Sequence, residues 1–573
     1  MVKAVSRKIT SLINEVIDAD VLVVGGGLAG CMAAIKAKDQ GVKVVLVDKG
    51  YISRSGQSPF AAGSINIFTP EDDLSLWLRE IVERGEYLND QEWVKLQLEN
   101  IYSLTTELDA WGKEYGLTVL ERDEKGSLLR RKARGNINTL TSVINALPMM
   151  DTLRRRLVKL EVPLYERIMV TDLLTEDGRV VGALGLNYRD GKLYLFRAKA
   201  TILAAAGCGF KSFFIGHRNL TGEGQVMAYQ LGAALRNLDQ AMSNTTAREV
   251  DIHGLSFMVG FGGRFLNGRG EEFMWRYDPE VGNRARLTRL TVAMAREVAE
   301  GRGPIYMDLT QVPTHDQTLL KQIVPEGFRS LESVGLKPFR EKIEWMPAFE
   351  GTLAHGGGVH IDLGCATGVP GLFAAGDNTC TPEHGTWSIT GLNLSFCIVS
   401  GKVAADSAVP EASRASLSAL GNLDVAPLVD ALLAPLDREG GSNPEEVIAR
   451  IQQTIIPYPV AYLRREETLQ NALARIQNTR QWEIPRLRAR NLRELVKARE
   501  VRNMALIAEA IVQSALYRQE SRGFHYREDY PLTDNDQWLK WIMVKEERGE
   551  MKVRGEVFPT PYIQPPTGKY PPR

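Results

Sequence analysis

The stretch DADVLVVGGGLAGCMAAIKAKDQGVKVVLVDKG, residues 18–50, decides the fold of this chain. Its apolar beginning predicts a strand, which runs into a glycine-rich turn, a helix of small residues and a second strand that ends at Asp48. The turn has the GxGxxG spacing that is typical of dinucleotide-binding folds, with Gly25, Gly27 and Gly30 at its three positions.

Each residue of this unit has a physical task in holding a nucleotide. Gly25 permits the tight turn, Gly27 lets the backbone approach a pyrophosphate, and Gly30 lets the helix pack closely. The helix N-terminus faces the anion, and Asp48 stands at the distance expected of an acceptor for ribose hydroxyls. The unit therefore predicts nucleotide binding.

Segments far from this unit favour FAD over NAD. Residues 166–207 read as short alternating strands with Asp-Gly turns, and the last of these strands ends in Ala205, Ala206 and Gly207. A later strand gives GVPGLFAAGD, residues 368–377, with an acid directly after a glycine turn. This order of glycine turn, meander, small-residue strand end and late strand resembles the two-dinucleotide-binding flavoproteins, whereas an NAD dehydrogenase with a single Rossmann unit leaves the later strands unexplained. The resemblance implies an α/β fold with a two-dinucleotide-binding, Rossmann-like FAD domain.

Composition narrows the class of protein further. The chain has 573 residues, is 44% hydrophobic, and has 70 Lys plus Arg against 70 Asp plus Glu, so no global field draws it to nucleic acid or to an anionic membrane. Its five cysteines are scattered without a CxxC pair, which argues against a disulfide scaffold, a metal site or an internal iron–sulfur cluster. Without a signal-peptide pattern or a long uncharged apolar run, we expect a cytoplasmic protein with no direct membrane insertion.

Motifs spread over nearly the whole chain carry a family resemblance. They are VLVVGGGLAG, VDKG followed by RSG, TGEGQVMAYQLGA, LNGRGEEFMWRY, GLFAAGD and ESRGFHYREDYPLTDNDQWLK. Together they resemble the flavoprotein subunits of succinate dehydrogenase and fumarate reductase, closest to the branch of the adenylylsulfate reductase alpha subunit.

The resemblance implies a division into domains. An FAD-binding domain would comprise residues 1–236 and 352–415, interrupted by an inserted α+β capping domain at 237–351. A helical domain would follow at 416–530, and the proline-rich end, 531–573, would form an extended tail. In this family the loop after the second strand, here RSGQSPFAAGSINIF at residues 54–68, lies along the flavin.

The resemblance also implies the residues that bind FAD. They come from every part of the predicted FAD domain: Gly25, Gly27, Gly30, Asp48, Lys49, Arg54, Ser55, Gly56, Gly63, Ser64, Met169, Ala205, Ala206, Gly207, Gly376, Asp377, Asn393 and Leu394. Members with covalent flavin have His where this chain has Gly56, so we expect FAD to be bound noncovalently.

The substrate positions depart from the family pattern. The family holds a dicarboxylate with two His and an Arg, but no FHPTG segment occurs here, and Ser388 stands where the substrate Arg is expected. On the capping domain, Leu287 occupies the catalytic Arg position and Arg286 adjoins it. A plain succinate or fumarate site is therefore not expected, because losing a bidentate Arg costs several kcal/mol.

Three residues remain as catalytic candidates. These are Arg286, His355 and His384. Arg264, Arg284 and Arg289 could equally serve from the capping domain, and the alternative for all of these arginines is a solvated helix face. Trp387 could line the same pocket, although packing is the commoner role of a tryptophan.

The predicted function follows from the resemblance. The chain would be the FAD-dependent flavoprotein subunit of a hetero-oligomeric, fumarate reductase-like complex that acts on an activated C–C bond of a carboxylate-type substrate, with a ferredoxin-like iron–sulfur partner and without nucleic acid. The alternatives are adenylylsulfate reductase-like sulfur-nucleotide chemistry and an electron-transfer module without a small substrate. The substrate, the direction, the stoichiometry and the catalytic arginine stay open at this point.

Overall fold

The computed structural model describes residues 12–61, 63–133, 135–212, 216–251 and 255–572. Within these ranges, the side chains of residues 255–257, 319, 322 and 323 are not described. The first residues of the predicted FAD domain, 1–11, lie outside the described part of the chain.

The main sheet has a parallel core. In spatial order its parallel strands are Leu164–Glu166, Val44–Asp48, Glu15–Val24, Leu193–Leu203 and Leu372–Ala374. Residues 21–23 are 0% exposed. Burial on both faces explains why the VLVV segment is continuously apolar instead of alternating.

Two helices pack on this sheet and on each other. They are Leu28–Asp39, which follows the GxGxxG turn, and Leu392–Arg414. They approach closely at Gly401, where an added Cβ would lie 2.5 Å from the carbonyl oxygen of Ala29. Helix Leu392–Arg414 is long and apolar enough to cross a membrane by length and composition, but 67% of its apolar window is buried inside the protein. It therefore acts here as a core helix.

An antiparallel meander extends the sheet. Strands Ile168–Glu176 and Arg179–Asn187 pair with each other, and the second pairs with the first half of Leu193–Leu203. The predicted turn at Asp177-Gly178 joins the first two strands, and its residues have φ values of +49° and +76°. This left-handed conformation at both positions is the one that a two-residue hairpin turn requires.

Shorter elements complete the unit built on the main sheet, which corresponds to the predicted FAD-binding domain (1–236 and 352–415) and is called the FAD-binding unit below. Its other helices are Leu74–Arg84, Gln91–Glu114, Ala146–Lys159 and Glu223–Gln230, and its short strands are Ser64–Ile65, Arg130–Arg131 and Thr141–Val143. The carboxylates of Asp73 and Asp90 accept backbone N–H groups at the starts of the first two helices. These caps explain where the two helices begin.

The capping domain has its own antiparallel sheet and core. Its strands are, in spatial order, Met242–Ala247, Ile343–Gly351, Ile305–Asp308 and Arg264–Leu266. Its helices are Met274–Tyr277, Leu287–Ala299, Thr314–Ile323 and Pro325–Ser333. Phe265, Met294 and Trp345 are buried in a hydrophobic cluster separate from that of the FAD-binding unit. This cluster supports the α+β insertion that the sequence predicts.

Helices dominate the next region. They are Ala426–Leu433, Pro444–Ile455, Tyr458–Ala461, Glu466–Asn478 and Leu492–Tyr517. The longest of them, Leu492–Tyr517, packs against Pro444–Ile455 and Glu466–Asn478 and is buried over most of its length. The side chain of Asn491 caps its start by accepting the N–H of Glu494 at 3.0 Å.

The C-terminal segment differs from the extended tail predicted for residues 531–573. Strands Trp541–Glu547 and Glu550–Glu556 form a hairpin, which pairs with Leu235–Arg236 and through it with Gly358–Val359. The alternating sequence WIMVKEE and EMKVRGE around Arg548-Gly549 explains this, since both turn residues have positive φ.

Only the end of that segment is extended. It lies on the protein's own surface, where the side chain of Gln91 donates to the carbonyl of Ile563 at 2.8 Å. Strands Thr533–Asp534 and Lys569–Tyr570 pair with each other, and the short helix Asn535–Trp538 lies between them in sequence.

Candidate functional site

A cavity joins segments that lie far apart in the sequence. The GxGxxG turn, the end of the second strand, the loop at 55–61, the meander, the capping sheet and the start of helix Leu392–Arg414 all line it. It contains most of the predicted cofactor residues: Gly25, Gly27, Asp48, Lys49, Ser55, Gly56, Ser64, Met169, Ala205, Ala206, Asp377, Asn393 and Leu394.

The other predicted cofactor residues, Gly30, Arg54, Gly63, Gly207 and Gly376, do not line the cavity. A Cβ added at Gly30 would lie 1.8 Å from the carbonyl oxygen of Gly25, and one added at Gly207 would lie 1.8 Å from that of Thr352. A Cβ added at Gly376 would lie 2.7 Å from the side chain of Ala29. Arg54 forms an ion pair with Asp151. Gly63 has φ +73°. Gly30, Gly207 and Gly376 thus allow close packing of neighbouring segments, while the side chain of Arg54 is 40% exposed.

The nucleotide end of the cavity fits the pyrophosphate of FAD. Gly27 has an ordinary extended conformation, φ −77°, and a Cβ built on it would meet only the Ser58 hydroxyl, at 3.4 Å. The helix begins at Leu28, whose backbone N–H donates to the same hydroxyl at 3.2 Å. Open space beside a helix N-terminus is the arrangement that receives an anionic group.

Asp48 is fixed at the end of its strand. Its carboxylate accepts the backbone N–H of Gly26 at 2.7 Å and that of Gly50 at 2.5 Å. Burial raises the pKa of Asp48, while the two backbone N–H groups oppose the shift. The side chain is therefore held rigidly at the place where a ribose hydroxyl is expected.

Lys49 lines the cavity, but its ammonium group belongs to a buried network. Its Nζ donates to Glu223 at 2.7 Å, to Glu500 at 3.0 Å and to the Thr221 hydroxyl at 3.2 Å. Burial opposes the charge, but the two carboxylates raise the pKa of Lys49 above its ordinary value. Lys49 thus joins the FAD-binding unit to the long C-terminal helix.

Asp377 connects three walls of the cavity. Its carboxylate accepts the Asn393 side chain at 2.9 Å and the backbone N–H of Ala354 at 3.0 Å, and it also contacts the Gln57 side chain. Helix Leu392–Arg414 starts from Gly391, which has φ +91° and lines the cavity. The helix therefore presents its first turn, with its unpaired N–H groups, to the cavity.

Two histidines lie side by side in the cavity wall. The ring centroids of His355 and His384 are 4.7 Å apart, and the ring of His355 stacks on Phe524 at 5.4 Å. Within the described part of the chain, neither ring nitrogen of His355 has a hydrogen-bond partner. The backbone N–H of Ser388 donates to Nδ1 of His384 at 3.3 Å. In a neutral ring, the proton of His384 is then on Nε2.

Both imidazoles are held neutral. Burial, assisted by the neighbouring His384, lowers the pKa of His355 well below its ordinary value. Burial lowers the pKa of His384 to about 3. Near neutral pH, the pair therefore offers N–H donors without a positive charge.

Arg286, a predicted catalytic residue, does not line this cavity. It is 5% exposed, and its guanidinium donates to Glu86 at 3.0 Å and to the carbonyl of Trp387 at 2.7 Å. Leu287, the next residue, lines the cavity in its place. The side chain of Arg286 joins the capping domain to the FAD-binding unit.

The other candidate arginines are also placed away from the cavity lining. Arg264 pairs with Asp308 at 2.7 Å and Arg289 lies 3.7 Å from Asp278, while Arg284 is exposed. Among the described residues that line the cavity, Lys49 is the one with a cationic side chain.

The capping domain adds lining residues that the sequence did not indicate. Met242, Asn244 and Glu350 come from two paired strands of its sheet. No local motif marks them, since which face of each strand points to the cavity depends on the register of this pairing. Met242 pairs with Gly351 next to an irregularity in the ladder. Gln57 and Ser58, by contrast, lie in the loop predicted to follow the flavin.

The neutral His384 makes a testable contribution to pH dependence. Its pKa in the folded protein, about 3, lies below the ordinary value of 6.5, so below pH 6.5 the unfolded chain binds a proton that the folded chain excludes. The contribution of His384 to stability is therefore fully present above pH 6.5 and is lost by ~1.4 kcal/mol per pH unit as the pH falls from 6.5 toward about 3. Urea unfolding at pH 7.5 and 5.5 should show a loss smaller by ~1.4 kcal/mol in His384→Phe than in the wild type. Equal losses in both proteins would contradict a buried neutral imidazole.

Comparison with known proteins gives two family matches. The chain matches the family model described as FAD binding domain over residues 20–394 and the model described as Fumarate reductase flavoprotein C-term over residues 450–570. A fumarate reductase (CoM/CoB) subunit of Methanothermobacter marburgensis is 29% identical, over 93% of this chain and 98% of its own length.

Solved structures share the fold along nearly the whole chain. A mutant of the quinol fumarate reductase FrdA of E. coli has a TM-score of 0.87 at 23% identity and covers 96% of this chain and 99% of its own. Adenylylsulfate reductase of Archaeoglobus fulgidus has a TM-score of 0.80 at 21% identity and covers 97% of this chain and 98% of its own. At these identities the structural likeness speaks for the fold alone.

Proposed function

This chain belongs to the FAD binding domain family and is an FAD-dependent oxidoreductase of the fumarate reductase and succinate dehydrogenase flavoprotein type. On that premise we propose that it acts on an activated carbon–carbon bond of a carboxylate-type substrate, by reducing a C=C double bond or by forming one. The observation that carries the proposal is the buried histidine pair, His355 and His384, in the wall of the cavity that contains the FAD-binding residues.

FAD, when bound, supplies the exchange of a hydride with carbon. The chain's own residues would bind and orient it: Gly27 leaves space for the pyrophosphate and Asp48 accepts the ribose hydroxyls. Gly56 lines the cavity without a side chain, so we propose noncovalent binding at this loop.

The wall around the substrate comes from the capping domain, through Leu287, and from the second part of the FAD-binding unit, through Trp387. Leu287 and Trp387 are 4% and 6% exposed, so apolar surface excludes water from the space beside the histidines. The neutral imidazoles can donate hydrogen bonds to a substrate oxygen on which charge develops during the reaction. Such a donor stabilises the product of hydride addition next to a carbonyl group.

We propose that the electrons enter from another protein. The relative from Methanothermobacter marburgensis is itself named a subunit. The scattered cysteines of this chain do not suit a cluster, so we propose a ferredoxin-like iron–sulfur subunit, in a cytoplasmic hetero-oligomer. Purification of the native complex should yield this chain together with an iron-containing protein, identified by mass spectrometry and iron analysis.

Reoxidation of the reduced protein tests the reaction class. Under anaerobic conditions, the holoprotein is first reduced with reduced viologen. It is then mixed with an enoate, with adenylylsulfate, or with a saturated acid as the control. Restoration of the oxidised flavin spectrum by an enoate is the expected result. Activity with adenylylsulfate instead would favour sulfur-nucleotide chemistry, and no reaction with any small molecule would favour an electron-transfer module.

A further inference from the structure

We propose that the substrate carries an uncharged acyl group, such as an ester or thioester, next to its reactive double bond, and is not a free dicarboxylate. This inference rests on the proposed function and narrows it to a substrate class. It follows from the side chains that surround the histidine pair.

The capping side of the cavity offers no counter-ion to a carboxylate among the described residues. Its lining there consists of apolar, amide, imidazole and carboxyl side chains: Met242, Asn244, Leu287, Glu350, His355, His384 and Trp387. The cation in the described lining, Lys49, is already held by Glu223 and Glu500. A carboxylate moved from water into this space would lose its hydration without gaining an ion pair, which is strongly unfavourable.

Arg286, the residue before Leu287 of the cavity lining, directs its guanidinium to buried partners outside the cavity. Arg286 donates to Glu86, to the Thr386 hydroxyl at 3.3 Å and to the Trp387 carbonyl at 2.7 Å. These partners are buried, so turning the guanidinium toward the cavity would break contacts that nothing replaces. The residue next to Arg286 that does line the cavity, Leu287, contributes an apolar side chain and no charge.

The histidine pair suits an acyl oxygen. His355 is 3% exposed, lines the cavity and has both ring nitrogens without a partner in the described part of the chain, so a hydrogen-bonding ligand is needed there. A neutral imidazole N–H donates to a carbonyl oxygen and strengthens that bond as negative charge develops on the oxygen. Glu350 also lines the cavity, and its carboxyl side chain cannot form an ion pair with an anionic substrate.

The reaction balances without a further reagent. One C=C bond, two electrons and two protons become one C–C bond and two new C–H bonds. Reduced FAD, when bound, would supply a hydride, which carries both electrons and one of the two hydrogens, and solvent would supply the remaining proton. The acyl group keeps its atoms and only accepts a hydrogen bond.

A charge series on one scaffold tests this inference. Fumarate, monomethyl fumarate and dimethyl fumarate carry two, one and no negative charges beside the same double bond. The reduced holoprotein should be reoxidised by dimethyl fumarate with a kcat/KM at least ~100-fold above that for fumarate, because each unpaired charge must be desolvated. The saturated analogues, succinate and its methyl esters, should show the same order of affinity in calorimetric titrations of the oxidised holoprotein.

Leu287→Arg supplies the missing cation. It should raise the preference for fumarate over dimethyl fumarate at least ~10-fold relative to the wild type. Val298→Arg adds the same charge at a 38% exposed position of the same helix and should leave the preference unchanged. Should Leu287→Arg not fold, the wild-type series still decides.

The outcomes separate the two claims. Fumarate equal to or better than the diester would overturn the uncharged substrate while leaving the proposed function intact. Failure of every member to reoxidise or bind the protein would overturn both. Only the rising order from dianion to diester supports this inference.

Discussion

Gly27→Val should give a folded protein that does not bind FAD. The Cβ position at Gly27 faces open space, with the Ser58 hydroxyl at 3.4 Å, so the added side chain occupies the space left for the pyrophosphate. FAD affinity should fall at least ~100-fold, or ~2.7 kcal/mol. The measurement is titration of apoprotein with FAD, followed by fluorescence quenching of the cofactor.

The fold should survive this substitution. Gly27 has φ −77°, which any residue adopts, and replacing glycine by valine at a helix N-cap costs ~1 kcal/mol. Gly440→Val provides the control, because Gly440 is exposed and has nothing within 4 Å of its Cβ position. It should keep the wild-type affinity for FAD. A yellow Gly27→Val protein with wild-type affinity would contradict the assignment of the pyrophosphate site.

The nucleotide end could be predicted because its information is local. The turn, the helix and Asp48 lie within residues 18–50, and each has a conformation or a clearance that few residue types allow. Lys49, next in sequence, shows where this reasoning ends. Its partners Glu223 and Glu500 lie 174 and 451 residues away, so the sequence around Lys49 carries no sign that its charge is already used.

The substrate end could be predicted only in part. His355 and His384 follow from the family resemblance, and both line the cavity. Glu350 does not, because strand register decides which side chains of the capping sheet face inward. Arg286 stands beside the family position, but the long-range contact with Glu86 directs its side chain away from the cavity. The C-terminal hairpin is the opposite case, since its alternation and its Arg548-Gly549 turn are local signals that the proline-rich end of the segment obscures.

Arg286→Met should destabilise the protein by ~3–5 kcal/mol, because removing one partner of a buried ion pair leaves the other charge without its counter-ion. Arg286 and Glu86 are 5% and 1% exposed. The Trp387 carbonyl also loses its donor. Urea unfolding of the apoprotein measures the loss. Arg289→Met, in the helix that follows Arg286, removes a 37% exposed side chain that lies 3.7 Å from Asp278 and should cost less than ~1 kcal/mol.

The double variant Arg286→Met, Glu86→Leu separates a structural role from a catalytic one. Removing both charges abolishes the uncompensated carboxylate, so the double variant should recover most of the stability lost by Arg286→Met. The interaction energy between the two substitutions in the double-mutant cycle should be at least ~2 kcal/mol. If Arg286 acts only by joining the capping domain to the FAD-binding unit, the double variant should regain both its stability and its rate of reoxidation by an enoate. Full stability with turnover still lost would instead identify the guanidinium as part of the chemistry, since a residue that only holds the cavity wall is replaceable by apolar packing of similar volume.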